Sequence, residues 1–385
     1  MGLTQIHDDL MYLAGRLPHR SAQSEEEREA SAYIADRLRE YTPDVSVEPF
    51  HAPENYPYLF ASYMSEFLIV GAIAFLWPEV AFGYGLGVFA LYLAEFAGYR
   101  GLSRFMPQYP SQNVTARFLG LRPRATIVFI AYYDSGCASP MTLPNRIPLL
   151  RPMHLFLLSC MVLVLATCAA DALSGGPPYP GLGLRWIAIA ALGAGALALF
   201  LGAGRGEDIR GANNNASGVA ALLGVAEALR RNPVEEADVW MVALGSHEAW
   251  MSGMRHFLPA HRLPRDRTWF INLEAVGAGR LHYLKTEGFL YALRADKQMT
   301  GLANAIAADR PVRAGVLRAV PTAAHVPLSR GMKALTLMGL DDTGLPAHWN
   351  QLSDRFTAVE EKTIEEAIDF TVALARRVAA ESARE

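Results

Sequence analysis

Five short stretches of the chain carry side chains capable of chemistry: AYYDS at 131–135, GANNNASGVAALL at 211–223, SHEAWMSGMRHF at 246–257, NLEAVG at 272–277 and HWNQLSD at 348–354. They supply Tyr132 and Asp134, then Asn213, Asn214 and Asn215, then His247 with Glu248, then Glu274, then His348 with Asn350. A histidine beside carboxylates can move protons near neutral pH. His247, assisted by Glu248, Glu274 and Tyr132, therefore reads as an acid/base set. The same carboxylates with His247 and His348 could instead hold a single metal ion. Positions two apart in extended chain face the same way, so His348 could partly replace the side chain at Asn350. Plainer roles exist for each residue. Glu274 could pair with an arginine, the three asparagines suit turns and helix caps, Tyr132 could fill a core, and His247 and His348 could bond within their loops. Cys137 is a possible nucleophile, but nothing near it in sequence marks an activated thiol, and it reads as structural.

Each stretch follows a strand or opens a helix, and open α/β sheets place their sites at strand C-terminal ends. Strands are expected at 45–50, 113–118, 126–134, 239–245, 269–277 and 333–339. VWMVALG is apolar throughout, as in a sheet covered on both faces. Helices are expected at 4–16, from Ser24 to Tyr41, at 216–231, in SGMRHFL, near 297–309 and from Thr357 to about Ala380. Ser24 with Glu27, and Thr357 with Glu360, have capping-box spacing.

Four apolar runs interrupt this layout in two pairs, at 59–77 with 81–98 and at 154–173 with 186–204. The first pair turns at Pro78, the second through SGGPPYPGLGL. Each run approaches the roughly 20 residues that cross a bilayer core. The first is the weakest because Glu66 lies within it. Charged residues make up only 19% of the chain, below the usual quarter or so of soluble proteins, so part of the surface does not face water. The organisation expected is an α/β domain of 1–57, 111–136 and 209–385 with transmembrane hairpins at 58–110 and 137–208. The soluble remainder, roughly 260 residues, is the size of one domain. If successive strands run antiparallel, both hairpins leave the sheet at one edge. Arg100, Arg104, Arg146, Arg151, Arg205 and Arg210 flank the hairpins on the domain side, and the connecting loops carry Glu79, Asp171 and only Arg185. The positive-inside rule then makes the domain and both termini cytoplasmic. The amphipathic start MGLTQIHDDLMYLAGR lacks the apolar core of a signal peptide. A net charge of −3 gives no basic face for nucleic acid. Three cysteines in no CxxC arrangement suggest neither a disulfide framework nor a CxxC zinc site.

In order and in matching elements, the five stretches resemble the di-zinc aminopeptidase family, which includes the glutaminyl cyclases. The resemblance covers nearly all of the soluble part. It implies a mixed-sheet α/β fold of the zinc-exopeptidase (phosphorylase/hydrolase-like) kind, with helices on both faces. The family pattern is His-x-Asp, Asp-Asp-Asn-x-Ser-Gly, Glu-Glu, Asp or Glu, and His-x-x-x-Asp, around two bridged metal ions and a general-base glutamate. Here Tyr132 stands at the first histidine, with Asp134 kept. Asn213 stands at the bridging carboxylate, His247 at the base and Asn350 at the last histidine. Glu248 and Glu274 are kept as ligand types, as are Ser217 and Gly218, and a further family stretch reads AAH with His325 kept. An amide bridges two cations poorly. The resemblance with these exchanges implies no di-zinc site and no cofactor, with zinc at Glu248 and Glu274 as the alternative. Three functions stay open: a binding or scaffold module without catalysis, a metal-independent acid/base enzyme centred on His247, and a single-metal hydrolase. The second hairpin leaves directly after AYYDS and returns directly before GANNN. The pocket is therefore expected to open near the bilayer and to take an apolar or membrane-delivered ligand.

Overall fold

The computed structural model describes residues 3–174 and 181–383, so most of the loop expected within the second apolar pair lies outside the described residues. The chain divides into two compact units, one of Met1–Ala52, Tyr109–Ala138 and Glu207–Glu385, the other of Pro53–Gln108 and Ser139–Gly206.

The first unit is built on strands β1 (Val45–Pro53), β2 (Gln108–Phe118), β3 (Ala125–Tyr132), β4 (Cys137–Ala138), β5 (Glu207–Asp208), β6 (Ala237–Leu244), β7 (Thr268–Glu274), β8 (Arg280–Glu287), β9 (Leu293–Arg294), β10 (Arg313–Val316) and β11 (Lys333–Leu340). Nine form one mixed sheet in the order β1-β2-β6-β3-β7-β11-β8-β10, with β9 on β8. The centre, β6-β3-β7-β11, is parallel. β2 and β8 run antiparallel to their central neighbours β6 and β11. β4 and β5 make a separate two-stranded ribbon, Cys137 opposite Asp208 and Ala138 opposite Glu207.

Side chains alternate across the sheet. Ile127, Phe129 and Ala131 of β3, Val239, Met241 and Ala243 of β6, and Trp269, Ile271 and Leu273 of β7 enter one large core. Helices close that core with their apolar stripes: α1 (Leu3–Leu10), α2 (Glu25–Arg39), α7 (Gly218–Arg231), α9 (Lys297–Ala307) and α11 (Glu361–Ser382). The alternate positions, among them Tyr132, Asn272, Glu274 and Thr336, belong to the opposite face. All four are buried.

Several expectations need correction. β6 lies between β2 and β3. They still point in opposite directions, so β2 begins at the edge where β3 ends. β3 stops at Tyr132 and β7 at Glu274, where the chain turns into the loops described below. Ser24 caps α2 as its spacing implies, accepting from the Glu27 amide at 3.0 Å. The Thr357 cap does not form: α11 starts at Glu361, and Thr357 sits in a 3-10 turn before it.

The second unit contains α3 (Tyr56–Ile73), α4 (Pro78–Phe96), α5 (Ile147–Ser174) and α6 (Gly181–Ala203). Of these, α4, α5 and the Gly183–Ala203 part of α6 are long and apolar enough to cross a membrane; α3 is not among them. Each contains apolar side chains facing outward, such as Val80, Leu86, Phe156, Ile187 and Leu197. Polar groups face inward and meet each other. Arg185 bonds Asp171 and, at 3.0 Å, both the hydroxyl and the carbonyl of Thr167. Glu95 accepts from the amides of Gly101 and Ser103 at 2.9 and 3.0 Å.

Candidate active site

The site lies where β3 and β7 end. Tyr132, the last residue of β3, is fully buried and donates its hydroxyl to Asn214 Oδ1. Asn214 Nδ2 donates to Asn350 Oδ1 at 3.1 Å, and Asn350 Nδ2 donates to Glu248 Oε2 at 3.3 Å. Four side chains from four segments thus form one hydrogen-bonded chain. The His247 ring stacks on Tyr132 with centroids 3.8 Å apart and planes 7° from parallel. Glu274 ends β7; its Oε2 accepts from Asn272 Nδ2 at 2.9 Å and from the Ala323 amide at 3.1 Å. Its Oε1 and His247 Nδ1 are buried without a hydrogen-bond partner.

Each segment is fixed from below. Asp134 accepts from the amides of His247 and Glu248 at 2.9 and 2.8 Å. Asp354 does the same for Asn213 and Asn214 at 2.6 and 3.0 Å. Asn215 bonds the carbonyls of Tyr132 and Leu273 and the amide of Ala275, tying the ends of β3 and β7 together. Asn350 adopts φ of +48°, a conformation asparagine tolerates better than most residues. It sits so close to Gly136 that a Cβ there would meet Asn350 Oδ1 at 2.3 Å and push the Asn350 amide aside. Arg20 is wholly buried and donates to five carbonyl oxygens, those of Tyr133, Leu13, Leu17, Arg210 and Gly211. It joins the N-terminal segment to the loops carrying Asp134 and Asn213.

Burial dominates the electrostatics. It pulls His247 down to about 3, so the imidazole is neutral near pH 7. Burial pushes Glu274 up to about 8, opposed by the Asn272 and Ala323 hydrogen bonds. Glu248 also rises to about 8, by burial first and then by the charge of Asp134. Burial raises Tyr132 well above the ordinary phenol range, with Glu274 and Glu248 adding to it. The Cys137 thiol rises to about 11 by burial, reinforced by Glu248 and Asp208, which makes it inert.

Among the residues singled out from sequence, Tyr132, Asn214, His247, Glu248 and Asn350 meet directly, and Glu274 lies at the adjoining strand end. Asn213 does not hold the position assigned to it. Its amide turns away to the Ala347 carbonyl and the Gly277 amide, both at 2.8 Å, and Asn214 occupies the centre of the network. The backbone between them is kinked out of helical geometry, with Asn214 at φ −113° and ψ 79°. His348 does not replace Asn350 in the network: its Nδ1 pairs with Ser353 Oγ at 2.9 Å in its own loop. His325 is buried at the start of α10 (His325–Ser329), two residues past the Ala323 amide that binds Glu274. Sequence reasoning missed Arg20, Glu27 and Ser246. Glu27 Oε1 accepts from the Ser246 amide at 2.6 Å and so braces the loop before His247.

A mixed parallel sheet with its polar constellation at the C-terminal ends of β3 and β7 defines the zinc-exopeptidase fold. Solved structures with this fold match over nearly the whole chain. A zinc aminopeptidase from Bacillus subtilis aligns with TM-score 0.56 and 13% identity, over 97% of this chain and 94% of that one. A Zn-dependent exopeptidase from Parabacteroides distasonis gives 0.58 and 11%, over 98% and 97%. The glutaminyl cyclase of Bacteroides thetaiotaomicron, solved with N-acetylhistamine, gives 0.56 and 12%, over 97% of each chain. No curated protein matches the sequence. The model of peptidase family M28 matches residues 195–375, from within α6 through most of α11. That stretch is similar to peptidase family M28.

Zinc is accordingly the metal to which this fold points, and the expectation that no cofactor is involved is corrected on that ground. A zinc ion takes about four N, O or S donors. Among the described residues no three His, Cys, Asp or Glu side chains group as a metal site. Tyr132, Asn214 and Asn350 spend polar atoms on one another, while Glu274 Oε1 and His247 Nδ1 are buried without a hydrogen-bond partner. The residues present do not fit two zinc ions.

Proposed function

We propose that this protein is a membrane-anchored, aminopeptidase-like binding protein of the M28 family whose pocket does not carry out two-zinc peptide hydrolysis. The observation carrying this reading is the hydrogen-bonded chain Tyr132–Asn214–Asn350–Glu248. It closes through neutral amides and a phenol, which supply no charge to offset two dications. Glu274 Oε1 and His247 Nδ1 remain as buried polar atoms without partners. A ligand with an apolar body and a hydrogen-bonding head would satisfy them and relieve their desolvation.

Two hairpins, α3 with α4 and α5 with α6, are the anchor in this reading, with the α/β domain and both termini cytoplasmic. Support comes from three helices of membrane-crossing length and from their outward apolar side chains. The arginines that flank the hairpins support the orientation. The second hairpin joins the domain through β4 and β5, directly beside the loops of Asp134 and Gly211. That connectivity favours delivery of the ligand from the bilayer.

The test is zinc content of the full-length protein, purified in detergent and equilibrated with micromolar zinc. Fewer than two ions per chain, unaltered by Asn214→Ala, is the expected result. Two ions per chain, with aminopeptidase activity lost on chelation, would overturn the proposal.

A further inference from the structure

The opposite edge of the sheet carries a second feature. A cavity of about 650 Å³ is lined by Arg122, Arg124, Arg267, Lys333, Asp266 and Trp269, with Pro123 and Ser382. All but Ser382, the last residue of α11, precede or open β3, β7 and β11, which are parallel. The site above lies at the other ends of β3 and β7, about 25 Å away along an eight-residue strand.

The lining has four cations and one carboxylate. None of the four takes part in an ion pair among the described residues. Their backbones are held. The Arg122 and Arg124 amides bond the carbonyls of Glu235 and Glu236 at 2.9 and 2.8 Å, and the Arg267 carbonyl accepts from Thr126 at 2.8 Å. Lys333 Nζ stands 3.9 Å from the centroid of the Trp269 ring. Trp269 itself is only 2% exposed, and its indole N–H has no hydrogen-bond partner. Like charges gathered around one concavity repel each other and focus a positive potential into it. Guanidinium groups match phosphate oxygens two at a time. The volume is that of a small-molecule site.

We infer that this cavity is a binding site for a compact polyanion with at least two phosphate groups, separate from the pocket at the strand C-terminal ends. Arg122, Arg124 and Arg267 grip the phosphates, and Lys333 over Trp269 contributes the fourth charge. The phosphates could belong to a free metabolite or to a phosphorylated lipid headgroup, and the two sources share this chemistry.

The experiment is calorimetric titration of the full-length protein in nanodiscs of neutral lipid with inorganic pyrophosphate. Saturable one-to-one binding is expected, at least tenfold weaker in the Arg124→Glu/Lys333→Glu double variant and unchanged in Arg313→Glu, an exposed position on β10. Arg124→Gln/Lys333→Gln repeats the test without charge reversal, with circular dichroism confirming the fold. No saturable binding up to millimolar pyrophosphate would overturn the inference, as would undiminished binding in both double variants. Discs containing a phosphoinositide then assign the source. Pyrophosphate affinity reduced at least fivefold supports a headgroup occupant, and unchanged affinity supports a free one.

Discussion

Arg20→Met removes a cation buried beneath the active-site loops. Five carbonyls, from Leu13, Leu17, Tyr133, Arg210 and Gly211, lose the guanidinium as a donor, although that of Gly211 still accepts from the Ala216 amide at 2.9 Å. An unsatisfied buried acceptor costs about 1–3 kcal/mol. The five do not add in full, because the variant no longer buries a guanidinium, itself a cost of several kcal/mol. Burial pulls the Arg20 pKa to about 10, against the charges of Asp354 and Asp134, so the side chain is charged at neutral pH. Breaking such a buried charged arrangement from one side destabilises by about 3–5 kcal/mol. For a domain of this size that is a fall of roughly 6–20 °C in Tm. Arg20→Lys keeps the charge but has only three N–H donors for five acceptors, so an intermediate fall is expected. The assay is thermal unfolding of the full-length protein in detergent, followed by near-ultraviolet circular dichroism. A fall below about 2 °C for Arg20→Met would refute the idea that this side chain joins the N-terminal segment to the pocket loops.

Glu287 has both carboxylate oxygens against the hydroxyls of Thr322 and Thr336, and burial raises it to about 7. Its protonated form favours the folded state, so its contribution is full below about pH 4.5 and is lost as pH rises through 7, a change of about 3 kcal/mol. Glu27, at about 8, acts in the same direction. Tm should therefore fall between pH 5 and 8.5, and less steeply in Glu287→Gln; a rising Tm would contradict this. Tyr132→Phe leaves Asn214 Oδ1 without its donor, and a loss of about 1–3 kcal/mol in denaturant unfolding is expected. Gly136→Ala drives a Cβ into Asn350 and should weaken any pocket ligand at least tenfold, measured by calorimetry, while Gly183→Ala, with open space around it, should not. Cys137 should resist alkylation at pH 7.5 in the folded protein, as its raised pKa requires, read by mass spectrometry after timed iodoacetamide exposure.

Much of the fold was legible because strands such as VWMVALG and WFINLE are continuous apolar runs between turn residues. β8 and β10 were missed: RLHYLKTE has only a broken alternation and RAGV is four residues long. The place of β6 between β2 and β3 is a non-local fact that no local pattern records. At the site, residue types announced the pocket, but not which of three consecutive asparagines would face it. That choice depends on a backbone kink, and its geometry follows from Asp354 holding two successive amides. Arg20 gave no signal at all, since an arginine in a polar stretch reads as solvated. Only the convergence of five carbonyls explains its burial.

The two-residue ribbon of Cys137–Ala138 with Glu207–Asp208 closes the chain on itself before residues 139–206 begin and after they end. Whatever hangs from that ribbon is a closed loop, whose entropic cost grows only as the logarithm of its length, about 0.6 kcal/mol per doubling. The sheet domain is therefore nearly indifferent to the length and content of what is threaded there. Such a junction makes the inserted segment an exchangeable part: an ancestral domain could acquire, enlarge or discard it while the strands on either side kept their register.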